Sequence, residues 1–264
     1  MAVIVSTYER PDALDAVLRS LAEQTYSGFE IVVADDGSGP DTRELVERHA
    51  EESALDLRHV WQEDRGYRLA AIRNRAAAAT EQPYLIFLDG DCLVRPDYVE
   101  RHASLAEPGH FLHGSRVRLD PGLSRFAIEL EPAAIERWSA ARWLGEWLRG
   151  RADRFTPLLR VPLGPLRRLS PGRWHGVKGC NLAVWRSDFL AVNGFDEGFE
   201  GWGFEDNDLV VRLIRNGVRR KEGRYAVPVL HLWHETRPPD PASRKRFERR
   251  LRSATVRAER GIGG

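Results

Sequence analysis

At 264 residues and 42% apolar residues, the chain has the make-up of an ordinary soluble globular protein, with material for one large α/β domain or two small ones. No window approaches the roughly 20 apolar residues that span a bilayer, and the apolar stretch from Ala2 to Val5 is too short for a signal peptide. The two cysteines, Cys92 and Cys180, cannot staple a fold of this size and show no zinc-type spacing, so a cytoplasmic chain with free thiols is expected. A net charge of +1 conceals segregation. Nine arginines stand against two acids between Arg137 and Arg173, nine basic residues stand against three acids between Arg237 and Arg260, and the remainder is acidic.

In chain order, short apolar runs alternate with amphipathic ones. "AVIVS" precedes a helix over Pro11 to Gln24, "EIVVA" one over Asp41 to Glu52, "LRHVW" one over Tyr67 to Ala79, and "YLIFL" closes the series. This βαβα rhythm predicts a mostly parallel sheet with helices on both faces. A helical stretch follows from about Ser124 to Leu148, then a Pro/Arg-rich passage, 154–174, in which no regular element is expected. Beyond it come a strand at Asn181 to Trp185, a helix at Ser187 to Val192, a glycine-rich loop and a helix from Glu205 to Asn216. A final strand, "YAVPVLHLWH", leads to a charged C-terminal helix.

In an open α/β sheet the ligand crevice lies outside the carboxyl ends of the strands. Three polar clusters fall there: Ser6 to Arg10, Asp35 to Ser38 and Asp89 to Asp91. Asp89-Gly90-Asp91 presents two hard carboxylates around a glycine, a pattern suited to Mg²⁺ or Mn²⁺ bridged to phosphates, although the same tripeptide alone is more often a polar turn. Asp35-Asp36-Gly37-Ser38 reads equally as a nucleoside contact or as a capping turn.

"VIVSTYERPDALDAVLRSLAEQT", "VVADDGS" and "YLIFLDGDC" together resemble the GT-A fold of the family 2 glycosyltransferases. "FLAVNGFDEGFEGWGFEDNDLVVRL" resembles the catalytic segment of β-1,4-galactosyltransferases and bacterial chondroitin-type polymerases. The resemblance implies a single GT-A domain with a Rossmann-like, mostly parallel sheet. It divides into a nucleotide-sugar-binding half at 1–120, a helical Arg/Trp-rich insertion at 121–175, an acceptor-binding and catalytic half at 176–236, and a basic tail at 237–264.

Carried onto this chain, the resemblance gives Asp36 a uracil or ribose contact and makes Thr7, Tyr8 and Arg10 walls of the nucleotide pocket. It puts Arg68 near the diphosphate, with Gly90 in the acidic turn. Asp91 becomes the firmest metal ligand, while Asp89 serves ribose and metal. Glu205 and Asp206 hold the acceptor, with Asp206 as general base, and Trp202 covers the donor sugar. The late metal motif corresponds to His231-Leu232-Trp233-His234, so His234 ligates the cation. Asn207 stands where the galactosyltransferases carry an acid, which weakens the case for galactose. The implied reaction is inverting transfer from a nucleotide-sugar, with UDP favoured, to a glycan or lipid-linked acceptor, with Mn²⁺ or Mg²⁺ as cofactor, in polysaccharide or lipopolysaccharide synthesis.

The residues support several of these roles independently. Glycines beside Trp202 let an aromatic face meet a sugar ring, and crowded acids at a helix start raise at least one carboxyl group, as a base requires. Helix-dipole complementarity alone accounts for Asp208. Positions three apart on a strand face opposite sides, so His231 reads as a core residue unless the chain leaves the sheet. Trp143 and Trp147, four apart among arginines, predict either a peripheral contact with the anionic inner face of the membrane or packing on the catalytic domain. Nucleic acid is not an expected partner. The rival readings are a nucleotidyltransferase, whose basic phosphate loop is missing, and an inactive nucleotide- or carbohydrate-binding module.

Overall fold

The computed structural model describes the whole chain except residues 54, 130–134, 136, 237 and 264. Strands β1 (Ala2–Thr7), β2 (Glu30–Asp35), β3 (Asp56–Trp61) and β4 (Tyr84–Asp89) run parallel in the order β3-β2-β1-β4. They are joined by helices α1 (Pro11–Ala22), α2 (Pro40–Glu52) and α3 (Leu69–Ala78). Proline occupies the first turn of α1 and of α2, where its missing N–H goes unneeded.

Strands β1, β2 and β4 are apolar on both faces because both are covered, whereas β3 is the half-exposed edge. Val3 and Val5 of β1 and Ile86 and Leu88 of β4 enter the core under α1. Their alternates Ala2, Ile4, Leu85 and Phe87 enter a second core with Ala70 and Ile72 of α3. All four strands therefore end on one edge, where the polar residues emerge.

The second half departs from the βαβα rhythm. After β5 (Cys92–Val94) and α4 (Tyr98–Leu105) come the short strands β6 (His110–His113) and β7 (Arg116–Arg118). β8 (Asn181–Trp185) lies antiparallel to both β4 and β6, and β9 (Arg219–Glu222) pairs parallel with β6, extending the sheet to seven strands. β10 (Val229–His231) is sandwiched between β5 and β7 in a separate three-stranded sheet. The sequence reading omits β5, β6, β7 and β9, because strands of three or four residues carry too few alternations to show a period, and α4, whose eight residues make only two turns.

The expected strand over 225–234 shortens to β10. The Leu232 amide still bonds the carbonyl of Asp91 opposite it at 2.9 Å, but the Trp233 amide turns to Ser124 Oγ at 2.7 Å, where the chain leaves the sheet. The insertion contains α5 (Pro121–Glu129) and α6 (Ala140–Leu148), and most of the expected helix between them lies outside the described residues. Trp143 and Trp147 do not share an environment: Trp143 is in the main core, whereas Trp147 is exposed and packs on Phe155. Two single 3₁₀ turns interrupt the Pro/Arg-rich passage. Helices α7 (Arg186–Ala191), α8 (Glu205–Arg215) and α9 (Pro241–Arg252) complete the chain, and among the described residues no helix is long and apolar enough to cross a membrane.

Candidate functional site

At the β2 end two adjacent aspartates do different work. Asp35 Oδ1 accepts from the backbone amides of Ser38 and Gly37, and Oδ2 pairs with His59 Nε2 at 3.0 Å. Burial opposes its charge, but these contacts outweigh burial and hold the carboxyl below its ordinary value. Asp35 thus builds the turn. Asp36 faces the crevice, where it accepts from the Arg68 backbone N–H at 2.8 Å and from the Gln62 side-chain amide, and burial pushes its pKa up. The buried Gln62 Oε1 has no partner, so an amide oxygen and a carboxylate stand together, as a nucleobase N–H or a ribose hydroxyl requires.

At the β4 end the Gly90 amide donates to the Ser6 carbonyl at 2.7 Å, and a Cβ there would lie only 2.9 Å from that oxygen. Glycine is what lets the turn fold back over β1. Asp89 then points inward to Arg73, with Oδ1 2.6 Å from Nη2. Asp91 faces two imidazoles: Oδ2 lies 3.5 Å from His234 Nε2 and Oδ1 lies 3.7 Å from His231 Nε2.

These gaps are long for hydrogen bonds, but ligands about 2.0–2.2 Å from a shared cation stand roughly 3–3.5 Å apart. His234 Nδ1 lies 2.9 Å from the Glu235 carbonyl, which can only accept, so the proton sits there and Nε2 keeps its lone pair. The donor set fits a divalent cation. His231 is buried at the last position of β10, and its ring turns to Asp91.

Two groups at this centre escaped the sequence reading. Cys92, dismissed for lack of zinc-type spacing, joins Asp91 and His231 with donor atoms all within 4.8 Å of one another. Arg73 is fully buried in α3, donates from Nε to Ser6 Oγ at 3.0 Å as well as to Asp89, and holds Nη1 3.7 Å from Glu205 Oε1. A buried arginine within an alanine-rich helix was the available signal.

Helix α8 opens at Phe204, whose φ of +73° is left-handed, and presents Glu205 and Asp206. Burial, reinforced by the Asp206 charge and opposed by Arg73, pushes the Glu205 carboxyl up to about 7, and its Oε2 has no hydrogen-bond partner. Asp206 Oδ2 accepts from the Gly179 amide at 2.8 Å and Oδ1 from the Asn207 amide at 2.7 Å, which fix its orientation. Asp208 is withdrawn from the crevice, fully buried between Arg212 at 2.7 Å and Arg250 at 2.6 Å.

The profile of glycosyl transferase family 2 matches residues 2–146, more than half of the chain. The chain belongs to that family. Residues 170–235 match a second profile, described as the N-terminal domain of galactosyltransferase. This family 2 chain is 36% identical over 230 residues to a validoxylamine A glucosyltransferase of Streptomyces hygroscopicus subsp. jinggangensis, a match covering 83% of the chain and 52% of the relative. It is 29% identical over 248 residues to a chondroitin synthase of Escherichia coli, covering 86% of the chain and 34% of the relative. The chain thus spans about half or less of these relatives' length. A mannosyltransferase from Pyrobaculum calidifontis, solved with GDP-Man and Mn²⁺, superposes with a TM-score of 0.62 at 21% identity over 89% of this chain and 57% of its own. That likeness confirms the GT-A fold.

Within the family 2 chain, the expected pocket residues Thr7, Tyr8, Arg10 and Arg68 lie at the end of β1 and at the starts of α1 and α3. Arg68 does not turn to the acidic turn; its guanidinium donates to the Glu63 carbonyl, and its backbone serves Asp36. Arg73 is the arginine beside Asp89. Arg10 pairs with Asp12 at 3.0 Å, and the exposed Tyr8 donates its hydroxyl to Asp64 at 3.1 Å. Thr7 is buried, with Oγ1 unpartnered beneath the Asp89 turn.

Trp202 is 44% exposed on a loop braced by the C-terminal segment. Its carbonyl accepts from the Asp240 amide at 2.9 Å, Gly201 donates to the Tyr67 carbonyl at 3.1 Å, and Phe204 stacks on Phe247 of α9 at 5.3 Å. The basic tail is therefore a strap on the loop and not a loose extension. Beside the two histidines opens a cleft of ≈ 440 Å³, lined among others by Arg118, Asp120, Arg151, Asp153 and Trp233. The insertion thus forms a wall of the site.

Proposed function

We propose that the chain is an inverting glycosyltransferase that moves a sugar from a nucleotide-sugar to a hydroxyl of a glycan or lipid-linked acceptor. The observation that carries this reading is the convergence on one sheet edge of three parts: the Asp36/Gln62 acceptor pair, the Asp91/His234 cation site, and the buried Glu205/Asp206 pair facing Arg73. Asp36 and Gln62 receive the nucleoside, with uridine favoured by the resemblance. Asp206, held by the Gly179 amide, takes the proton of the attacking hydroxyl, and Glu205 positions that hydroxyl with its free Oε2. Arg73 fixes Asp89 and offers its unpartnered Nη1 to the crevice. Trp202 lies over the donor sugar. When bound at Asp91 and His234, Mn²⁺ or Mg²⁺ would neutralise the leaving diphosphate.

The acceptor glycan extends into the cleft beside His231 and His234. Its acids and arginines are mixed, and the half-exposed Trp233 offers an aromatic face, a combination suited to a polyhydroxylated chain. Family membership displaces the nucleotidyltransferase reading, and turnover of a donor would exclude an inactive module. On α6, exposed Leu144, Trp147 and Leu148 lie beside Arg142 and Arg149, the surface on which peripheral contact with an anionic membrane is proposed. Binding at low salt to liposomes containing anionic lipid tests it, and failure to float with them would remove the membrane from the account. A role in cell-surface polysaccharide or lipopolysaccharide synthesis follows if the acceptor is lipid-linked.

The deciding experiment for the base compares Asp206→Asn with Glu205→Gln. Retained donor binding with lost transfer in Asp206→Asn supports the assignment, whereas an active Asp206→Asn beside an inactive Glu205→Gln would move the base to Glu205.

A further inference from the structure

The Asp91 carboxylate has two faces with different chemistry. Oδ2 meets His234, partly exposed at the mouth of the crevice. Oδ1 looks inward, 3.6 Å from Cys92 Sγ and 3.7 Å from His231 Nε2, both buried. The three inward donors lie within 4.8 Å of one another. In a tetrahedral site with Zn–S about 2.3 Å and Zn–O about 2.0 Å, sulfur and oxygen ligands stand roughly 3.5 Å apart. The 3.6 Å between Cys92 Sγ and Asp91 Oδ1, where the thiol donates to the carboxylate, matches that sulfur–oxygen spacing, and His231 Nε2 stands 3.7 Å from the same oxygen.

Ligand softness separates the faces. A carboxylate and an imidazole beside a substrate diphosphate suit Mn²⁺ or Mg²⁺, whereas a thiolate selects Zn²⁺ and similar ions. We infer that Asp91, Cys92 and His231 form an alternative, thiophilic cation position that takes Asp91 and His231 from the donor-cation site, and that Zn²⁺ seated there inhibits the enzyme. Coordination replaces the Cys92 S–H bond by an S–Zn bond and releases one proton, with no change of oxidation state. Zn²⁺ in this position draws Asp91 inward, so that His234 alone faces the outer position. Entry runs through the cleft lined by His231 and His234. Cys180, although buried, is not a member of the three-donor group. The site follows from the geometry alone; its inhibitory effect rests on the function proposed above.

The metal-free 264-residue chain is titrated with Co²⁺, a spectroscopic substitute for Zn²⁺, and the absorption spectrum is followed. The expected result is an intense sulfur-to-cobalt charge-transfer band with tetrahedral visible bands, discharged by Zn²⁺. Cys92→Ser and Cys92→Ala should each lose the band and weaken Zn²⁺ binding at least ~10–100-fold, while Mn²⁺ affinity by electron paramagnetic resonance changes less than about 3-fold. Cys180→Ser should keep the band. A wild-type spectrum without the band, or a band that survives both Cys92 variants, overturns the inference. Should the band appear while no donor is turned over, the proposed function fails and the site stands; should transfer be metal-dependent yet equally sensitive to Zn²⁺ in wild type and Cys92→Ser, the inhibitory role falls.

Discussion

The two halves of the crevice are finished to different degrees. At the nucleoside end both oxygens of Asp35 and of Asp36 already have protein donors, and what is left open beside them is a neutral acceptor, Gln62 Oε1. At the other end Glu205 Oε2 and Arg73 Nη1 are buried without hydrogen bonds, and the Asp91 carboxylate faces histidines at distances that suit a cation better than a hydrogen bond. A binding pocket gains from having its charged groups already satisfied, with only a neutral acceptor left for the ligand. A reaction centre keeps polar atoms unsatisfied for groups that arrive with the substrate. Helix α8 repeats the contrast within one turn, where Glu205 is left reactive and Asp208 is neutralised by Arg212 and Arg250.

The sharpest way to break the contrast is to damage the reactive end alone. Asp206→Asn should lower transfer by about 10²–10⁴-fold while leaving donor affinity within about 3-fold, measured by calorimetry and product release. Arg73→Ala strands Asp89 and Glu205 in a buried site, and a loss of about 3–5 kcal/mol in denaturant unfolding is expected together with loss of transfer. Arg250→Ala leaves Asp208 and Asp196 short of a partner and slackens the strap. Faster amide exchange is then expected across 199–205, with the β1 and β4 amides unchanged, and uniform exchange would show that α9 does not govern the loop.

A smaller effect concerns protons. Glu205 titrates near 7 in the fold against an ordinary 4.5, so between these values the folded chain holds a proton that the unfolded chain has released. Stability therefore falls as pH rises through that window, by at most about 3 kcal/mol above pH 7. Glu205→Gln should flatten this dependence, gaining melting temperature over wild type at pH 8 and little at pH 4. The smallest effect expected is from Trp202→Ala, a several-fold rise in donor KM.

How much of this was legible depended on whether the signal was local. Asp36, Asp89 and Asp91 follow apolar runs directly, so strand, turn and acid can be read within a few residues. Glu205 and Asp206 likewise lie in one glycine-flanked segment. Arg73 belongs to a helix whose other residues advertise only packing, and its role depends on Ser6, Asp89 and Glu205, three separate parts of the chain. The turn of His231 toward Asp91 was not legible because the strand was read too long: the chain departs at Trp233, whose amide bonds Ser124, a contact that no periodicity records. Cys92 adjoins Asp91 in sequence, but its third companion, His231, arrives only through pairing of β10 with β5.

The central claim is that Asp91 and its cation serve sugar transfer, and nucleoside diphosphate release tests it most directly. A panel of UDP- and GDP-linked sugars is supplied to wild type and Asp91→Ala, with Mn²⁺ and after chelation. The account predicts turnover of one donor class that requires the divalent ion and disappears in Asp91→Ala. Turnover that survives both chelation and the substitution would contradict it.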